Sequence, residues 1–121
     1  MSRLNKKFYQ LTNENKKAFI PFIMAGFPNI SYSSNLLNKL PALGADIIEI
    51  GMPFTDPMAD GKIIQDAGHA ALAAGYKMNC LYEMIEGFRK TDQNIPIILM
   101  GYYNPIHNFG SENFIKKIKA L

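Results

Sequence analysis

Asp46-Ile47-Ile48-Glu49-Ile50-Gly51, running on into the segment Met52 to Gly61, decides how the rest of the chain is organised. The apolar run is too short for a helix and is closed by a glycine, so Asp46 to Ile50 predicts a short strand. The segment after it holds Pro53 and Pro57 and the turn formers Thr55, Asp56 and Asp60, with Gly51 and Gly61 at its ends. That composition predicts a loop.

Outward from this pair, strands and helices alternate. Upstream, Ala18 to Ala25 is an apolar run closed by Gly26 and Pro28, and predicts a buried parallel strand. Pro21 lies inside it, so a strand start or a bulge is expected there. Between the two strands, Asn29 or Ser31 can cap a helix whose apolar stripe is Tyr32, Leu36, Leu37 and Leu40, and Gly44 stops it. Before the first strand, Leu4, Phe8 and Leu11 at helical spacing predict a short amphipathic helix. Downstream, Ile63 to Ala74 and Met78 to Arg89 predict two helices separated by Gly75, the second with Leu81, Ile85 and Phe88 inward. Ile95 to Met100 predicts a third strand, Tyr102 to Gly110 a loop, and Ser111-Glu112-Asn113 the opening of a last helix over Phe114 to Leu121.

Strands alternating with helices predict right-handed βαβ units and a parallel sheet, an α/β fold. Three such strands leave an unpaired sheet edge. A complete (β/α)8 barrel needs roughly 250 residues, so the residues 1–121 are expected to be the N-terminal portion of a single TIM-barrel domain, truncated at the C-terminus. A small three-stranded α/β domain, a flavodoxin-like domain cut short and a half-barrel that dimerises remain open on pattern alone.

Composition removes several classes of function. Hydrophobic residues make up 48% and charged residues 19%, an ordinary globular balance that argues against disorder. The net charge of +3 is too weak to indicate nucleic acid, and the lysines gather near the two ends as solvated helix faces. The single cysteine, Cys80, excludes a disulfide within the chain and argues against a cysteine metal site; no metal is expected. No apolar stretch approaches the roughly 20 residues that span a bilayer, and no signal-peptide run follows Met1, so a soluble, cytoplasmic protein is expected.

In parallel α/β folds, sites form at the carboxyl ends of strands. Glu49 stands there between two isoleucines, where burying a carboxylate is costly unless it faces a cleft or finds a partner. It is either a proton-transfer group or a structural carboxylate accepting backbone N–H bonds. Asp60, eleven residues on, taken alone reads as a helix N-cap, and Asp56 before Pro57 as a turn former. Together Glu49 and Asp60 place two carboxylates at one mouth, a pair able to divide proton donation and acceptance.

The stretch Glu49-Ile50-Gly51-Met52-Pro53-Phe54-Thr55-Asp56-Pro57-Met58-Ala59-Asp60-Gly61, followed by Ile64-Gln65, closely resembles the loop signature of tryptophan synthase α subunits, E-x-G-x-P-F-[ST]-D-P-x-A-D-G and then I-Q. Phe22-Ile23-Met24-Ala25-Gly26-Phe27-Pro28 resembles that family's first strand and turn, and Met100-Gly101-Tyr102-Tyr103-Asn104-Pro105-Ile106 its third strand and following loop. The departures are Lys62 where a proline is usual, Met24 where Thr or Ser is frequent, and Ala70 where a basic residue is common. None of them falls on Glu49 or Asp60.

The resemblance implies a lyase of tryptophan biosynthesis that cleaves indole-3-glycerol phosphate into indole and glyceraldehyde 3-phosphate by a retro-aldol reaction. It implies Glu49 and Asp60 as the catalytic residues. Phe22, Met100 and Tyr102 would line an apolar slot for the indole ring, although each on its own reads as core packing. It also implies a pyridoxal-phosphate β subunit as partner, in a heterotetramer of two α and two β subunits, met through Pro53, Asp56, Asn104 and Pro105. This chain itself needs no cofactor. The family holds the substrate phosphate in segments late in the barrel, for which these residues offer no candidate, so the 121-residue chain alone is expected to be inactive or nearly so. The competing expectations are a non-catalytic half-barrel module that docks on the β subunit, and another phosphate-handling barrel enzyme. The second lacks a strand-end lysine for a Schiff base.

Overall fold

A computed structural model of the chain describes residues 1–121. Three parallel strands, β1 (Phe22–Met24), β2 (Ile48–Gly51) and β3 (Ile97–Met100), lie in the order β1-β2-β3. Helices fill the connections: α1 (Arg3–Asn13) before β1, α2 (Ile30–Lys39) between β1 and β2, α3 (Lys62–Ala73) and α4 (Met78–Arg89) between β2 and β3, then α5 (Tyr103–Phe109) and α6 (Ser111–Ala120).

β1 and β3 are shorter than the apolar runs that announce them, and proline sets their starts. Pro21 and Pro96 have no N–H to give to a ladder. Their carbonyls still take part: Pro21 accepts from the Glu49 N–H at 3.0 Å and Pro96 from the Ile48 N–H at 3.0 Å. Phe19 and Ile20, read as part of the buried run, are exposed. A second correction concerns the segment after β3. Tyr102 to Gly110, expected as a loop, contains the seven-residue helix α5. Pro105 is the third residue of that helix, within the first turn, where a backbone N–H has no helical acceptor to lose.

Register divides the sheet into two faces. Phe22, Glu49 and Ile98 are aligned across the strands, as are Met24, Gly51 and Met100. Side chains alternate along each strand, so these residues share one face. The other face carries Ile23, Ile48 and Ile50, which join Leu37 from α2, Leu40 at its C-cap, and Leu81, Met84, Ile85 and Phe88 from α4 in one buried cluster. Leu81, Ile85 and Phe88 are the inward residues that the spacing of α4 predicts.

In α2 the cap is Asn29, whose side chain accepts from the Tyr32 N–H at 2.8 Å. Tyr32 itself, expected in the apolar stripe, is exposed, and the buried position beside it is Ser33. Burial of that hydroxyl is tolerated because it donates to the Ile30 carbonyl at 3.1 Å and accepts from the Gly26 N–H at 3.0 Å. Gly26 turns the chain after β1 with φ +82, a conformation that favours glycine, and Tyr76 lies 3.1 Å from where a side chain would begin, so space there is also tight.

Two polar contacts tie the lower ends of the strands. Lys7 of α1 pairs with Asp46 at 3.5 Å, just before β2. Arg89, at the end of α4, is buried and donates to the carbonyls of Leu121 at 2.9 Å, Asp92 at 3.2 Å and Ile95 at 2.8 Å. It thereby holds the turn that leads into β3. No helix is long and apolar enough to cross a membrane.

Candidate active site

Glu49 sits in the central strand, flanked in register by Phe22 and Ile98. All three are half-buried, as is Met100, whereas Ile48 and Ile50 on the opposite face are wholly buried. The carboxylate therefore looks out from the less covered face of the sheet. It accepts no hydrogen bond from the chain and meets no cation; the carboxylates that do find partners are Glu14, Asp46, Asp56, Asp66 and Asp92. A structural role as an acceptor of backbone N–H bonds does not describe it. An unpartnered, half-buried carboxylate at this position can exchange a proton with a bound molecule.

Gly51 follows two residues later on the same face. A side chain there would begin 2.6 Å from the Phe22 ring, so the absent Cβ makes room for that ring beside Glu49. Met24, on this face, is buried, because α3 lies against it and the Met24 methyl approaches Gly68.

The loop from Met52 to Gly61 leaves β2 bound to the end of β3 through the Met52 N–H, which donates to the Met100 carbonyl at 2.8 Å. Gly101 permits this approach, since a Cβ there would lie 2.8 Å from the Met52 methyl. Farther along, the Ala59 N–H donates to the Tyr102 hydroxyl at 2.8 Å, and the Tyr102 ring lies 5.4 Å from that of Phe54. From the other side, the Gln65 side chain in the first turn of α3 donates to the carbonyls of Asp60 at 2.8 Å and Pro57 at 3.2 Å. His69 Nε2 lies 3.3 Å from the Thr55 carbonyl.

Asp60 is not the helix cap that its position suggests. Gly61 holds the N-cap of α3 and no side chain caps it. The Asp60 carboxylate is half-buried, without a partner in the chain, at the carboxyl end of the strands where Glu49 also lies. Of the four residues expected at a partner interface, Asp56 and Asn104 are exposed and Pro105 is half-buried. Pro53 is buried within the chain itself, near Gly68. Sequence reading missed Gln65 and the hydroxyl of Tyr102 as fastenings of the loop. The I-Q pair was a signal for the first, but nothing in the sequence said what its amide would meet.

A family model described as tryptophan synthase alpha chain matches residues 8–121. The chain belongs to the tryptophan synthase α chain family. A curated tryptophan synthase alpha chain from Granulibacter bethesdensis is 54% identical over 121 residues, which are 100% of this chain and 44% of that relative. The solved tryptophan synthase subunit alpha of Legionella pneumophila superposes with a TM-score of 0.94 at 41% identity, over 97% of this chain and 45% of the other. A tryptophan synthase structure from M. tuberculosis, in its aminoacrylate-bound form, gives a TM-score of 0.91 at 30% identity, over 99% of this chain and 48% of that one. The chain thus spans less than half the length of these relatives. Its three parallel strands, an open sheet, match the N-terminal part of the family's TIM barrel.

Proposed function

We propose that this chain supplies the acid–base half of a lyase site for indole-3-glycerol phosphate, as the N-terminal portion of a single (β/α)8 domain. The observation that carries the reading is the Glu49 carboxylate, unpartnered on the less covered face of β2, in a chain of the tryptophan synthase α family.

The chemistry asks for a carboxyl group in that place. Indole leaves poorly until its C3 is protonated. Glu49 gives a proton to C3, making the ring an indolenine cation, and then takes the proton of the hydroxyl on the adjoining side-chain carbon. That carbon becomes the aldehyde carbonyl as its bond to C3 breaks. The electron pair of the broken bond returns to the ring and restores neutral indole. Asp60 accepts a hydrogen bond from the indole N–H and stabilises the positive charge that grows there. Phe22, Met100 and Tyr102 face the flat ring, for which aromatic and thioether side chains are suited. The phosphate is bound by later strands of the barrel. Indole passes to a β subunit, the pyridoxal-phosphate partner in a heterotetramer of two α and two β subunits, with Asp56, Asn104 and Pro105 on the face that meets it. The setting is the cytoplasm.

The test is indole release from indole-3-glycerol phosphate. The 121-residue chain alone is expected to release none, and a completed barrel, in which this chain is continued by the remainder of the Granulibacter bethesdensis relative, is expected to release it. Release by the short chain alone, abolished by Glu49→Gln, would overturn the division of the site. An inactive, folded completed barrel would overturn the lyase reading and favour a docking module.

A further inference from the structure

The loop that carries Asp60 is held by its backbone, and its reactive side chain is left free. Met58 and Ala59 are exposed, Pro53 and Pro57 each lack an N–H, and the segment joins no strand ladder. Two side chains replace that ladder. Tyr102, at the end of β3, receives the Ala59 N–H at 2.8 Å. Gln65, one turn into α3, gives one amide group to two carbonyls, Asp60 at 2.8 Å and Pro57 at 3.2 Å. Both partners are acceptors, so only the NH2 end of Gln65 fits there. The Pro57 carbonyl also receives the Asp60 N–H at 3.0 Å, so the turn that presents Asp60 closes on the same atom that Gln65 grips.

We propose that Gln65 is a positioning residue that fixes the Asp60 carboxylate for the indole N–H by clamping the carbonyls of Asp60 and Pro57. This rests on the lyase reading above. Gln65 touches no reacting atom; it acts through Asp60, whose backbone it holds from α3 while Tyr102 holds the neighbouring residue from the N-cap of α5. A carboxylate that must meet charge developing in the transition state is sensitive to displacements of an ångström or less.

The experiment uses Gln65→Met in the completed barrel, a change that keeps side-chain length and helix propensity and removes the donor. We expect kcat to fall about 10- to 100-fold with KM within about twofold. In an Asp60→Ala background, which leaves no acceptor for Gln65 to position, the same change is expected to leave kcat unaltered, since residues that act as one unit are not additive. Amide exchange at Ala59 and Asp60 is expected to rise about five- to tenfold, with the rest of α3 unchanged. An unaltered kcat, or an equal fall in both backgrounds, would overturn the proposal. Should the completed barrel release no indole, the lyase reading has failed, and exchange decides the clamp separately: unchanged protection at Ala59 and Asp60 overturns it.

Discussion

Glu49→Gln in the completed barrel is expected to lower kcat for indole release by about 10²- to 10⁴-fold, the range contributed by a positioned acid–base group. Glutamine keeps the size and hydrogen-bonding reach of the side chain but can neither give nor take the proton. Glu49 makes no hydrogen bond or ion pair with the chain, so the substitution breaks no contact of the fold. KM should therefore change little, and thermal unfolding should stay within about 0.5 kcal/mol of the parent, as for substitutions away from buried networks. Asp60→Asn should cost less, because an amide oxygen still accepts the indole N–H and only the charge is lost. Steady-state kinetics with a denaturation curve on each variant checks all of this. A Glu49→Gln protein with unchanged kcat would remove Glu49 from the mechanism.

Phe88→Ala should produce the largest loss of stability. Phe88 is fully buried and lies in the cluster that joins α2, α4 and the closed face of the sheet. Truncation removes the ring from a site whose neighbours are anchored in a helix and strands, so collapse around the cavity is limited. The expected cost is about 3–5 kcal/mol, read as a lowered denaturant midpoint with an unchanged slope. Arg89, whose guanidinium lies 5.4 Å from the Phe88 ring centroid, loses that face as well. A loss below about 1 kcal/mol would mean that the helix layer is not packed as described.

The order of elements was legible because each apolar run ends at glycine or proline. The ends of β1 and β3 were not, because Pro21 and Pro96 lengthen the apolar run while removing ladder donors. Asn104-Pro105 misled in the opposite sense: the pair reads as a turn but lies inside the first turn of α5. In α2, hydrophobicity favoured Tyr32 for the inward stripe, whereas the inward place belongs to Ser33, which satisfies its hydroxyl against backbone. Glu49 was visible as a candidate from its place at a strand end, and its register with Phe22 and Ile98 supports that placement. The clamp on Asp60 was not visible. It depends on side chains meeting backbone across the fold, Tyr102 reaching a residue 43 positions earlier, and no local pattern encodes such an approach.

That these residues are one part of a single barrel domain underlies the division of the site, and the intact mass of the protein as its source makes it tests this directly. A product of about twice the 13.6 kDa of this chain is expected, as a closed barrel of roughly 250 residues requires. A mature product of 13.6 kDa would contradict it, because the strands that should hold the phosphate would then never be joined to Glu49 and Asp60 in one chain.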